Sequence, residues 1–152
     1  MKDFKLRKFY FSPGYGDMLG GCHSKTVRMN KTGEWVFEVS EREDHRSPTI
    51  LTTYEVLPDK LSELEAFIEK KGVLSLEKRP KSSVFITDYS PWSYGIEYTK
   101  TSFGKTARCY CSFSQYRKYS PHDYDLMEEL RGRFEALRGE KIAEIIEKDG
   151  DD

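Results

Sequence analysis

Two pairs of side chains in the 152-residue sequence have metal-binding or nucleophilic chemistry: Cys22 with His23, and Cys109 with Cys111. Four such groups would complete a tetrahedral zinc site. The spacing argues against one. Zinc knuckles are built on Cys-x2-Cys, whereas one residue separates Cys109 from Cys111. On an extended chain those two share a face with Ala107 and Phe113, opposite Thr106, Arg108, Tyr110 and Ser112. That face is apolar, and a free cysteine on it behaves as a small hydrophobe. Adjacent residues on a strand point to opposite sides, so Cys22 and His23 cannot both face one ion. No metal and no cofactor is expected. The odd cysteine count fits free thiols in a reducing cytoplasm.

A cysteine nucleophile needs a nearby base. The three histidines are His23, His45 and His122, and nothing in the spacing ties any of them to a thiol. His45 lies in the polar run REDHRS. The enzymatic alternative is therefore a small enzyme using Asp17 with His23, or His45, as acid or base.

The stretch Asp88-Tyr89-Ser90-Pro91-Trp92-Ser93-Tyr94 gathers a carboxylate, two serine hydroxyls and three aromatic rings, with Pro91 to stiffen it. Rings beside an acid suit a sugar, a cation or a peptide. The same residues could instead plug one end of a core while their polar tips reach backbone. A second loop, 13–21, is rich in glycine and places Tyr15 and Asp17 near His23. It departs from the dinucleotide fingerprint, because its third glycine is one place late and no helix follows. It departs from the phosphate loop too, because Cys22 stands where lysine is required.

Charge is uneven along the chain. Residues 78–122 hold eight basic residues and two acids, and 98–122 hold no acid while six aromatic rings are interleaved there. That composition suits a platform for single-stranded nucleic acid, with hairpin 98–119 as the binding element. Residues 123–152 hold eleven acids and five bases, so the net charge is only −1. A terminal acidic helix packed near the hairpin would cover part of the basic surface, and nucleic acid is disfavoured as a partner. No apolar run is long enough for a membrane helix or a secretory leader, so a cytoplasmic protein without a membrane partner is expected.

The elements that must hold these residues read as one domain over 1–148, with 149–152 a frayed acidic tail. Aromatic-rich 4–12 reads as a strand. Segments 22–30 and 34–41 form a hairpin across Lys31-Thr32-Gly33, and 49–56 is a further strand. Pro58, the spacing of Leu61, Leu64 and Ile68, and Gly72 mark a helix over about 59–71. Residues 73–81 read as irregular and 83–87 as a short strand. A second hairpin covers 94–100 and 105–113. Pro121 opens a long C-terminal helix over about 122–148, with a bend or break expected near Gly139. The fold class is α+β: an antiparallel sheet of hairpins, covered on one face by the two helices. This layout resembles that of several small bacterial domains, a likeness that carries no residues and no activity.

The leading functional expectation is a domain that binds a ligand or a protein without catalysis of its own. It would bind through loops 88–94 and 13–21, with Tyr15, Asp17, His23, Asp88, Tyr89, Trp92 and Tyr94 as contact residues. The partner is a protein or small molecule, and the chain is a monomer or a homodimer, pairing copies through an open strand edge.

Overall fold

The computed structural model describes residues 4–13, 22–44, 46–81 and 92–147. Its strands are β1 (Phe4–Ser12), β2 (Cys22–Met29), β3 (Trp35–Arg42), β4 (Thr49–Val56), β5 (Ser93–Ser102), β6 (Lys105–Ser114) and β7 (Arg138–Glu147). They form one antiparallel sheet in the order β6-β5-β1-β2-β3-β4-β7. Helices α1 (Pro58–Lys70) and α2 (Pro121–Glu135) and a 3-10 helix (Val73–Lys78) pack on one face of it.

Strand alternation builds the core. Cys111, Ile96, Phe9, Val27, Phe37 and Tyr54 are paired from each strand to the next, so they form one inward row across six strands. The next inward row is Phe113, Tyr94, Phe11, Lys25, Val39 and Thr52. Leu64, Phe67 and Ile68 of α1, and Met127, Leu130 and Phe134 of α2, complete the cluster. Phe134 lies between two rings of the first row, 4.6 Å from Phe9 and 4.9 Å from Phe37.

Turn chemistry sets the hairpins. The Asn30 side chain accepts from the backbone amides of Thr32 and Glu34, and Gly33 takes φ 85°. Only a residue without Cβ adopts that angle freely. Pro58 opens α1, and Ser120 caps α2 in a capping box with Asp123, each side chain accepting from the other residue's amide. Residues 73–78, expected to be irregular, wind into the 3-10 helix and bury Val73 and Leu76.

The long C-terminal helix expected over 122–148 does not form as one element. It stops at Glu135, and Arg138–Glu147 is the edge strand β7, paired with β4. The Ile142, Ile145 and Ile146 spacing fits a helix, but a helix there would leave the edge of β4 unpaired, whereas as β7 the segment satisfies its own backbone and that edge together. β-branched residues also favour the pleated surface. Leu137 is buried and its carbonyl accepts from Leu57, which fixes the turn between α2 and β7. Gly139 acts in the crossing of β4 and β7, since a Cβ there would stand 3.1 Å from the Glu55 carbonyl oxygen.

Carboxylates satisfy strand amides at two places. Glu65 of α1 accepts from Leu6, beside an irregularity in β1 between Leu6 and Lys8. Glu77 of the 3-10 helix accepts from Ser112 on the edge strand β6 at 2.7 Å.

Candidate functional site

Ser12, the last residue of β1, is paired with Ser93, the first of β5. The chain therefore leaves β1 through Pro13 and enters β5 through Trp92 at neighbouring positions. These are the stems of the two loops singled out in the sequence. Beside them lies a pocket of about 340 Å³ lined by Phe11, Pro13, Trp92, Tyr94, Tyr124, Met127, Glu128 and Arg131.

Its walls are aromatic. Tyr94 is 5% exposed, stacks on Phe113 at 4.9 Å and leans on Phe11 at 4.7 Å. Trp92 meets Tyr94 edge-on at 5.9 Å and Tyr119 at 5.8 Å, and Tyr119 meets Tyr124 at 5.6 Å. The Tyr119 hydroxyl donates to the Ser114 carbonyl at 2.7 Å, which anchors this string of rings to the end of β6.

The polar groups come from α2. Arg131 places its guanidinium 5.1 Å from the Phe11 ring centre, a cation–π contact, and Glu128 lies one turn earlier. Burial pushes the Tyr94 hydroxyl up to about 12, against an opposing pull from Arg131. At neutral pH it stays protonated and can donate a hydrogen bond, but it is not a base.

The position of α2 is fixed from its first turn. Arg79 donates twice to Asp123, at 2.9 and 3.0 Å, and Arg117 donates to the Arg79 carbonyl. The hydrogen bonds from Arg79 hold the Asp123 carboxyl below its ordinary value, with smaller help from the Ser120 amide, against the opposing effect of burial. A depressed carboxyl stabilises the fold above its unfolded value of about 3.9, and that contribution is lost as pH falls through the lower folded value. Asp123→Asn should lower Tm at neutral pH and flatten the fall in Tm below about pH 4. Melting curves across the acid range check this, and an unchanged acid slope would contradict it.

Of the residues expected to bind, the structure brings together Trp92 and Tyr94. Tyr94 belongs to β5 rather than to a loop, because its ring completes an inward row of the sheet. Tyr15, Asp17, Asp88, Tyr89 and His45 lie outside the described residues. So does the strand expected at 83–87. His23 is half-buried on β2, paired with Glu41, and does not line this pocket. Cys111 is buried on the inward face of β6, and its thiol is pushed up to about 12, mainly by burial. Among the described residues Cys109 and Cys111 are free thiols, and no three His, Cys, Asp or Glu side chains gather as metal ligands. No helix among them is long and apolar enough to cross a membrane.

Phe11, Tyr124, Met127, Glu128 and Arg131 were not singled out in the sequence. Helical spacing puts Tyr124, Glu128 and Arg131 on one side of α2 at steps of four and three, but no sequence signal says that this side meets Trp92. Compared with protein-family models, with curated proteins and with solved structures, the chain has no match.

Proposed function

We propose that this chain is a binding domain without chemistry of its own, which holds an aromatic or apolar group carrying an anionic substituent. The observation that supports the reading is the ring-walled pocket between β1, β5 and α2, with Arg131 at its rim. Its size falls within the roughly 300–1,000 Å³ of small-ligand sites, and mostly apolar walls with a few polar groups are the usual composition of such sites. The rings would hold the apolar body. Arg131 would pair with the anion, and the protonated Tyr94 hydroxyl would donate a hydrogen bond. The described lining contains no histidine or thiol, and Glu128 is its one carboxylate.

Indole-3-acetate, an aromatic carboxylate, is a suitable probe. Titrated into labelled protein, it should shift the Trp92 indole N–H in proton–nitrogen spectra and leave that of Trp35 in place. Arg131→Ala should weaken binding about tenfold, as loss of a charge-assisted hydrogen bond predicts. Met127→Trp, which fills the pocket, should abolish it. Shifts centred away from Trp92, or affinity untouched by both variants, would exclude the pocket as the site.

A further inference from the structure

Phe103 stands in a conformation that its side chain does not favour. It takes φ 51° and the next residue, Gly104, takes φ 77°, so the two form the tight turn between β5 and β6. Paired left-handed residues suit Asn-Gly or Gly-Gly, and a bulky ring there is an outlier. Strain of this kind is ordinarily compensated by packing, but Phe103 is 103% exposed and no described contact repays it. A local rule broken without gain inside the fold points to a gain outside it.

The surroundings name the chemistry. Lys100, Lys105 and Arg108 are all exposed on the same hairpin. On the outer face of the sheet, away from the helices, Arg108 and Lys5 flank Thr99 in one cross-strand row. Tyr110 follows, 62% exposed, and lies across Gly95, where a Cβ would meet its hydroxyl at 2.8 Å. One acid interrupts the stretch: Glu97, paired with Tyr110 on one side and Lys8 on the other. The acidic helix that would have covered this surface packs on the opposite face.

We infer that the outer face of the β5–β6 hairpin binds single-stranded nucleic acid, with Phe103 and Tyr110 stacking on bases and Arg108 and Lys5 meeting phosphates. The spacing of the rings favours this partner over a lipid surface. At about 3.4 Å per residue, Phe103 and Tyr110 lie roughly 20 Å apart along the hairpin. A bilayer touched by the tip would leave Tyr110 unused, whereas a strand laid along the hairpin meets both rings and the cations between them. The site is independent of the aromatic pocket, which lies at the other end of the sheet and on its other face.

The test is fluorescence anisotropy of the whole protein with fluorescein-labelled oligo-dT and oligo-U at low salt. Saturable binding is expected, with Phe103→Asn and Tyr110→Ala each weakening it by about tenfold. Replacing Lys5 and Arg108 by alanine should reduce the slope of log affinity against log salt by about 1.4, at roughly 0.7 per phosphate contact. Phe103→Asn also controls for folding, because it supplies the favoured turn dipeptide and should raise Tm while it weakens binding. No binding at low salt would overturn the proposal, as would affinity indifferent to both ring variants. Flotation with phosphatidylserine vesicles that depends on Phe103, without oligonucleotide binding, would overturn it in favour of a membrane surface.

Discussion

Truncating Phe134 to alanine should cost about 3–5 kcal/mol, the range for emptying a buried aromatic site. The ring is fully buried and touches Phe9 and Phe37, which belong to different strands separated by β2. Neither neighbour can move into the space without breaking a sheet pairing, so little relaxation is available to soften the loss. At roughly 2–4 °C per kcal/mol for a chain of this size, Tm should fall by about 10 °C. Phe134→Leu, which keeps most of the volume, should cost far less. Urea denaturation of both variants decides it. Equal, small losses would mean that the helix is not seated on the sheet as described.

The second large effect concerns a charge within the core face. Lys25 occupies an inward position in the row that joins Phe11 to Val39, and its side chain is 13% exposed. Glu135, the last residue of α2, pairs with it at 2.5 Å and with Arg138, the first residue of β7, at 2.6 Å. Burial pushes the Glu135 carboxyl up, but hydrogen bonds from Lys25 and Arg138 outweigh it and hold the group below its ordinary value. One carboxylate therefore ties the end of the helix to the middle of the sheet and to the strand that follows. Glu135→Ala should destabilise by about 2 kcal/mol, less than the 3–5 of a fully buried pair because Glu135 keeps some exposure. Lys25→Met in the same chain should recover much of that loss, since no unpaired cation then remains on the apolar face. A double-mutant cycle with no coupling would refute the account. The contribution of Glu135 is present above its unfolded value of about 4.3 and fades as pH falls through the lower folded value.

Local rules made most of the sheet legible. Alternating large residues in 4–12 and 34–41, the Asn30–Gly33 turn, and proline at the start of each helix act within a few residues, and those elements stand where the pattern puts them. The failure at 136–147 has the same origin. Ile142, Ile145 and Ile146 satisfy a helical period as well as a strand, and the partner that decides between them, β4, is some ninety residues away in sequence. The pocket was legible in part. Trp92 and Tyr94 stand out as aromatic residues near a proline, but Arg131 and Tyr124 reach them only because α2 crosses the sheet at that end. The cations of the hairpin were visible from composition. Their freedom from the acidic helix was not, because it depends on which face α2 covers.

The two edges of the sheet are unequal, and this limits how copies of the chain can associate. Around Ser112 the edge of β6 is occupied by the 3-10 helix through Glu77, whereas β7 lies at the other end of the sheet with Ile142, Ile145 and Ile146 exposed. Polymerisation by strand addition needs two free and matching ends on every subunit. Here a contact made through β7 could be answered by a second β7 but not by a full-length β6. A contact of β7 with a second β7 is isologous and closes at a pair, whereas growth into a fibre would need the part of β6 away from Ser112 to serve as the second surface.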